Sequence, residues 1–173
     1  MFGWFMPDII YRTVYDINFD SLKEKNIKGL IFDIDNTLVS YKQKKPNDKV
    51  KALLNKLKND GFDICFVSNN NKQRVDIFNE EFKFFSYPNA KKPFTKYIKK
   101  AIKSMQISNK NAALIGDQLF TDIAAAKRVE ITAVLVTPIE PVETLFFKFK
   151  RFMEKPFLKK YYRRLNKNYD GEI

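Results

Sequence analysis

Short continuous runs of apolar residues alternate along this chain with segments whose apolar residues recur every three or four positions. The continuous runs predict buried strands at residues 28–34, 62–67, 84–86, 112–115 and 131–136. The recurring pattern predicts helices at about 46–60, 72–82, 93–105 and 122–129. Alternation of buried strands with helices is typical of a parallel sheet covered on both faces, so we expect a Rossmann-like, three-layer α/β sandwich.

The pattern is different at the two ends of the chain. Residues 1–26 show no clear period and form a predicted lead-in, and residues 27–142 form the predicted α/β domain. Residues 143–173 form a predicted basic, amphipathic tail, in which Pro156 is expected to kink or break a helix. Large apolar side chains of this tail fall on roughly one helical face: Leu145, Phe149, Phe152, Met153 and Phe157.

Polar residues follow the predicted strands at the points where those strands end. Asp33 and Asp35 follow the first strand, and the later strands are followed by Ser68, by Lys91 and Lys92, and by Asp117. In a parallel sheet these carboxyl ends lie at one edge, where ligands bind. Two carboxylates in one pocket repel each other unless a cation or a shared proton relieves them. The pattern therefore predicts a Mg²⁺ site at this edge.

Composition narrows the chemistry further. The 173 residues include no histidine, which excludes Ser-His-Asp hydrolysis, phosphohistidine chemistry and His-ligated zinc. Cys65 is the single cysteine, and Asn71 lies where a C-x₅-R phosphatase loop would need arginine. Only 5 glycines are present, and they form neither a Walker-type nor a dinucleotide-type pattern. The remaining candidates are Asp, Glu, Lys, Ser, Thr, Asn and Arg side chains, with a hard metal.

Four segments at this edge resemble the motifs of the haloacid dehalogenase superfamily of phosphatases. The sequence DIDNT at 33–37 resembles the first motif, and Ser68-Asn69-Asn70 resembles the second. Lys92 before Pro93 resembles the third, and GDQLFTD at 116–122 resembles the fourth. With the lead-in and the basic tail, the resemblance is closer to the YqeG-type, subclass IIIA members, which are similar to phosphatidylglycerophosphate phosphatases.

The resemblance implies a Mg²⁺-dependent phosphatase that uses an aspartyl-phosphate intermediate. Asp33 would be the nucleophile, and Asp35 would protonate the leaving oxygen and then activate water. Mg²⁺ would be held by Asp33, by the main-chain carbonyl of Asp35 and by Asp117. Lys92, preferred over Lys91 because it directly precedes Pro93, would neutralise the nucleophile and the phosphate.

The same resemblance assigns supporting roles to four more residues. Ser68 and nearby main-chain N–H groups would hold phosphate oxygens. Asn69 would either bind substrate or shape the pocket, and Thr37 would support the loop after the two acids. Asp122 would contact metal-bound water or orient Lys92.

The spacing of these residues leaves no room for a lid domain. About 30 residues separate the first motif from the second and about 20 separate the second from the third, so each gap is filled by one helix and its loops. A site without a lid does not by itself enclose a small metabolite and exclude water. It suits a phosphate carried by a membrane or by a macromolecule.

The charge of the chain adds a candidate partner. The net charge is +12, and residues 143–165 hold eight Lys or Arg against Glu143 and Glu154. A basic, aromatic-rich amphipathic segment is typical of a peripheral anchor on anionic lipid. Nucleic acid is a rival partner, and simple packing of the tail on the domain is the third reading.

These observations give a location and three candidate functions. The longest stretch without a charged residue is 131–139, against about 20 residues for a spanning helix, so we expect a cytoplasmic protein that is either free in the cytosol or peripheral on the inner face of the membrane. The leading hypothesis is hydrolysis of phosphatidylglycerophosphate at the membrane surface. The alternatives are a soluble phosphatase of nucleotide or sugar phosphates, and a non-enzymatic module associated with ribosomes or RNA.

Overall fold

A six-stranded, all-parallel sheet forms the centre of the protein. The computed structural model describes residues 3–140 and 145–164. The strands are β1 (Ile9–Tyr11), β2 (Gly29–Phe32), β3 (Asp63–Val67), β4 (Phe85–Tyr87), β5 (Ala112–Gly116) and β6 (Thr132–Val136), in the order β1-β6-β5-β2-β3-β4. The helices are α1 (Phe19–Glu24), α2 (Asp48–Asn59), α3 (Lys72–Asn79), α4 (Lys96–Ser104), α5 (Ala124–Val129) and α6 (Leu145–Arg164).

Two hydrophobic clusters cover the two faces of the sheet. One contains Leu54, Phe66 and Phe78 among its buried side chains. The other contains Ile98 and Leu119. Strands β2, β3 and β5 have hardly an exposed side chain, which explains why their sequences read as continuous apolar runs. The predicted Rossmann-like, three-layer α/β sandwich is confirmed, and residues 3–140 and 145–164 add no cap domain to it.

Local sequence signals set the helix ends on one side of this sheet. Asn47 caps α2 by accepting a hydrogen bond from the Val50 N–H at 2.9 Å, and Asn71 caps α3 through the Arg74 N–H at 2.9 Å. Gly61 follows α2 with φ of +90°, a conformation that glycine adopts without strain. The cap of α3 is therefore Asn71, and Ser68 to Asn70 remain in the loop at the sheet edge.

The lead-in contributes a strand that the hydrophobic pattern did not predict. Strand β1 pairs in parallel with β6, and the Asp8 carboxylate before it accepts the Ala133 N–H at 2.8 Å. The same carboxylate forms an ion pair with Lys127. Three half-buried residues are too few to show a period, so the sequence carried no clear signal for this edge strand.

Helix α6 packs its second half against the domain. Leu158 is buried in the second hydrophobic cluster, and the Phe157 ring packs edge-on against Phe5 at 5.4 Å and Phe120 at 5.7 Å. The helix runs through the exposed Pro156 without interruption, so a break there is wrong, and the alternative expectation of a kink stays a prediction. Within residues 3–140 and 145–164, no helix has the length and apolar character needed to cross a bilayer.

Candidate active site

The predicted acids lie where the order of strands in the sheet reverses. From β2 the chain adds β3 and β4 on one side, and then returns to add β5 and β6 on the other. Asp33 follows β2 and Asp117 follows the neighbouring β5, so both stand at this switch point, where open α/β sheets bind ligands. A cavity of about 390 Å³ opens there, lined by Asp33, Asp35, Asn36, Tyr41, Ser68, Asn69, Asn70, Lys92, Gln118, Thr121 and Asp122.

Lys92 is buried at the centre of this site. Its Nζ lies 2.6 Å from Asp33 Oδ1 and 2.7 Å from Asp122 Oδ1, and it donates to the Val67 main-chain oxygen at 2.7 Å. Lys91 is exposed, so the structure places Lys92 and not Lys91 beside the first acid. A buried ammonium between two carboxylates neutralises part of their repulsion.

Three buried carboxylates form a cluster that fits a divalent metal. Oxygens of Asp33, Asp117 and Asp122 all lie within 4.8 Å of one another. Lys92 supplies one positive charge against these three acids, and a set of carboxylate oxygens is the donor type that Mg²⁺ prefers. The sequence analysis expected Asp122 only in a supporting role, whereas its carboxylate is a member of the cluster. The Asp35 carboxylate is not a member, and the proposed ligand from its main-chain carbonyl stays a prediction.

The Asp122 side chain lies very close to the backbone of Gly116, the last residue of β5. A Cβ added to Gly116 would lie 2.4 Å from Asp122 Cγ, so only glycine leaves room for this carboxylate. A π-helical turn, Leu119–Ile123, then leads into α5, and the Ile123 N–H donates to the Gln118 oxygen at 3.2 Å. The predicted start of this helix at residue 122 is therefore wrong, since the helical turn begins at Leu119.

The cluster changes the acid–base properties of two groups. Burial raises the pKa of Asp33 from 3.8 to about 8, with Asp122 and Asp117 adding to the rise and Lys92 opposing it. Burial alone would lower the pKa of Lys92, but Asp122 and Asp33 raise it above its ordinary value. Lys92 therefore stays charged at neutral pH, and Asp33 in the protein without metal takes up its proton at a higher pH than an ordinary carboxyl group does.

This arrangement predicts an unusual dependence of stability on pH. Because the pKa of Asp33 is higher in the folded state than the model-peptide value of 3.8, the folded protein binds more protons than the unfolded chain between about pH 4 and pH 8. The free energy of unfolding should then fall as pH rises through this window. We expect the melting temperature in EDTA to drop from pH 5 to pH 8, and Mg²⁺ to raise it more at pH 8 than at pH 5.

Calorimetry of two variants separates this effect from general charge effects. Asp33→Asn should flatten the decline of the melting temperature with rising pH in EDTA, and it should reduce the increase in melting temperature that Mg²⁺ causes. Asp63→Asn removes an exposed carboxylate at the other end of the sheet and should leave both unchanged. If the melting temperature of Asp33→Asn declines with pH as steeply as that of wild type, Asp33 is not the cause of the pH dependence.

Asp35 is held at the cavity by residues that the sequence analysis did not single out. Its Oδ1 receives the Arg74 Nη2 at 2.9 Å and Nε at 3.1 Å, and its Oδ2 accepts from the Asn70 amide at 3.1 Å. The buried Arg74 also donates to the main-chain oxygens of Lys44 and Gln43. It thereby fixes Asp35 and the loop beyond it as one unit. An arginine on a polar helix gives no sequence signal for such a role.

Ser68 and Asn69 lie at the cavity in different ways. The buried Ser68 lines it, and its Oγ accepts the Asn70 N–H at 3.0 Å. The Asn69 side chain accepts the Lys92 N–H at 2.6 Å and donates to the Lys92 main-chain oxygen at 3.2 Å. Both ends of the Asn69 amide thus hold the backbone of Lys92, which supports the pocket-shaping alternative over direct substrate binding.

Thr37 lies outside this cavity. Asn36 turns the chain with φ of 64°, and its N–H donates to the Val39 oxygen at 2.7 Å. Thr37 is buried behind this turn and lines a separate space of about 570 Å³. Its position fits closure of the loop after the two acids, and not contact with substrate.

Comparisons with known proteins agree with this geometry. The family model described as mitochondrial PGP phosphatase matches residues 3–142. A relative named "Probable phosphatase YqeG", from Bacillus subtilis, is 32% identical over 155 residues, which are 90% of this chain and 90% of that protein. A glyceraldehyde 3-phosphate phosphatase of Pyrococcus furiosus is 27% identical over 128 residues, covering 69% of this chain but 48% of its own length.

A solved structure supports the fold independently. The cobalt-bound deoxy-D-mannose-octulosonate 8-phosphate phosphatase of Haemophilus influenzae superposes with a TM-score of 0.51 at 15% identity, over 80% of this chain and 91% of that one. The family match covers the whole sheet and every acid of the site. This chain therefore belongs to the PGP phosphatase family and is a phosphatase of the haloacid dehalogenase superfamily.

Proposed function

We propose that this phosphatase is Mg²⁺-dependent and hydrolyses phosphatidylglycerophosphate to phosphatidylglycerol at a membrane surface. The observation that carries the chemistry is the contact of Lys92 Nζ with Asp33 and Asp122, beside Asp117 in one buried cluster. Asp33, Asp117 and Asp122 would hold the ion, with Asp35 contributing through its main chain. A bound Mg²⁺ supplies positive charge that offsets repulsion between carboxylate and phosphate.

Each step then depends on a residue at the cavity. An oxygen of the Asp33 carboxylate attacks phosphorus, and the bond from phosphorus to the leaving oxygen breaks as Asp35 gives that oxygen a proton. Asp35 then takes a proton from the water that attacks the aspartyl-phosphate, which releases phosphate and restores Asp33. Lys92 stabilises negative charge throughout, and Ser68 with adjacent N–H groups binds phosphate oxygens.

Two features favour a lipid substrate. The matching family model carries the name of a PGP phosphatase. The described residues add no second domain over the cavity, so a phosphate that protrudes from a membrane can reach Asp33 without a lid opening. A soluble phosphorylated metabolite is the second candidate, because the Pyrococcus furiosus relative is named as a glyceraldehyde 3-phosphate phosphatase.

A substrate panel distinguishes these two candidates. We expect Mg²⁺-dependent phosphate release from phosphatidylglycerophosphate in mixed micelles with kcat/KM at least ~100-fold above that for glyceraldehyde 3-phosphate, nucleotides and sugar phosphates, a difference of roughly 3 kcal/mol in transition-state binding. Phosphatidic acid, a lipid phosphomonoester without the second glycerol, tests recognition of the head group. Equal or faster hydrolysis of a soluble ester would support the metabolite phosphatase instead.

A further inference from the structure

The large apolar side chains that remain exposed are concentrated at one end of the molecule. Eight are strongly exposed within the described residues. Six of these belong to segments at the carboxyl ends of the strands, the edge that carries the catalytic cavity: Tyr15, Tyr41, Phe94, Ile139, Phe152 and Met153. Single exposed apolar residues are ordinary on protein surfaces, but a group of them at one end marks an interaction surface.

One of these side chains lines the cavity, and a second belongs to the loop that follows the cavity residue Lys92. Tyr41 lines it and is 61% exposed. Phe94 is 69% exposed and lies two residues after Lys92, in a loop closed by a hydrogen bond from its N–H to the Lys91 oxygen at 2.9 Å. A partner that covers these two rings would therefore lie over the entrance through which the phosphate must pass.

Helix α6 extends this surface. Glu154 accepts the Leu119 N–H at 3.1 Å, at the catalytic edge, whereas the Tyr161 hydroxyl reaches the oxygen of Asp8, which precedes β1 and lies further from that edge, level with Ala133 of β6. The nine residues that precede Glu154 in the helix thus extend about 13 Å beyond the Leu119 contact, at 1.5 Å per residue. Phe152, 66% exposed, and Met153 belong to this projecting part.

The charges around the apolar side chains identify the partner. Lys42, Lys44, Lys91 and Lys96 lie exposed in loops or at a helix start on this edge. Within the part of the chain described, neither Lys44 nor Lys91 has an ion-pair partner, and Lys42 approaches Glu140 only at 3.9 Å. Aromatic and aliphatic side chains among lysines fit the interface of an anionic phospholipid bilayer.

We infer that the catalytic edge is the face by which this protein binds an anionic phospholipid surface, with Phe94 and Phe152 inserted at the level of the head groups. This inference deepens the proposed function, and rests on it for the reason why the cavity must face lipid. It places the entrance to Asp33 against the bilayer, so the substrate stays in the membrane while its terminal phosphate enters. The basic charge and the apolar side chains act together on this face.

Vesicle co-sedimentation of the full-length protein tests the inference. The probes are vesicles of phosphatidylcholine with 30% phosphatidylglycerol, and vesicles of phosphatidylcholine alone. We expect the affinity of Phe94→Ser/Phe152→Ser for the anionic vesicles to be lower than that of wild type by a factor of about ten or more. The reason is that the variant lacks the two aromatic rings whose transfer from water into the membrane favours binding. Phe85→Ser removes an exposed ring at the start of β4, away from this edge, and should bind as wild type does.

A soluble substrate keeps the outcomes apart. Hydrolysis of p-nitrophenyl phosphate with Mg²⁺ should be equal in wild type and Phe94→Ser/Phe152→Ser, because neither ring lines the cavity. Unchanged vesicle binding of this variant would overturn the inference, as would tighter binding of single-stranded RNA than of anionic vesicles at the same salt. Failure to hydrolyse phosphatidylglycerophosphate would instead reject the proposed substrate, since vesicle binding is measured without any turnover.

Discussion

Replacement of Asp33 by asparagine should lower phosphate release by on the order of 10⁴-fold or more, with little loss of folded protein. The amide is a far weaker nucleophile than the carboxylate, and residues that act as one catalytic unit show losses of this size when the nucleophile is removed. The fold should tolerate the change, because the Asp33 side chain is nearly isosteric with asparagine. Without metal the variant removes one of three mutually repelling carboxylates, so its stability at neutral pH should not fall.

Two measurements check this expectation. Phosphate release from a lipid and from a soluble ester gives the loss in rate, and acid quenching with labelled substrate reports the phosphorylated protein. Wild type should trap label and Asp33→Asn should trap none. Asp63→Asn, an exposed aspartate on β3, is the matched control and should behave as wild type does in both assays. Label retained by Asp33→Asn would assign the nucleophile to another residue.

Lys92→Met should be the variant with the largest combined loss of stability and rate. Methionine keeps most of the length of the side chain but removes the cation that contacts Asp33 and Asp122, which leaves buried carboxylates unpaired. Breaking a buried ion pair from one side costs about 3–5 kcal/mol. Loss of a charge that stabilises the transition state lowers kcat by about 10²–10³-fold.

Denaturant unfolding in EDTA and in Mg²⁺ measures the first effect, and steady-state kinetics measures the second. Lys91→Met is the control at the adjacent, exposed position. Mg²⁺ should restore part of the lost stability, because it brings positive charge to the same carboxylates. In EDTA, Lys92→Met/Asp33→Asn should be more stable than Lys92→Met alone, since one unpaired acid is gone. Identical behaviour of the two methionine variants would contradict the central position given to Lys92.

Much of the fold could be predicted because β2, β3, β5 and β6 are buried on both faces and therefore read as unbroken apolar runs. The site followed from the fold, since the topology of a parallel sheet brings the ends of β2 and β5 together whatever their side chains are. This is how Asp33 and Asp117, far apart in sequence, could be expected side by side.

The remaining features depend on tertiary contacts that no local pattern shows. Arg74 binds Asp35 only because α3 packs across the loop that follows β2. Asp122 joins the carboxylate cluster because Gly116 admits it and a π-helical turn aims it. Helix α6 continues through Pro156 because Leu158 and Phe157 are anchored in the domain just beyond it, and such packing can outweigh the cost of one missing backbone hydrogen bond.

The hydrogen bond between Glu154 and the Leu119 N–H has a practical consequence for anyone who shortens this protein. Leu119 begins the turn that carries Asp122, so the last helix is part of the support of the catalytic loop. A truncation after residue 142 would remove that acceptor and expose Phe5 and Phe120 to water. Such a deletion would alter the loop that carries Asp122 along with the helix that we propose faces lipid, and point substitutions are the sounder way to separate attachment from catalysis.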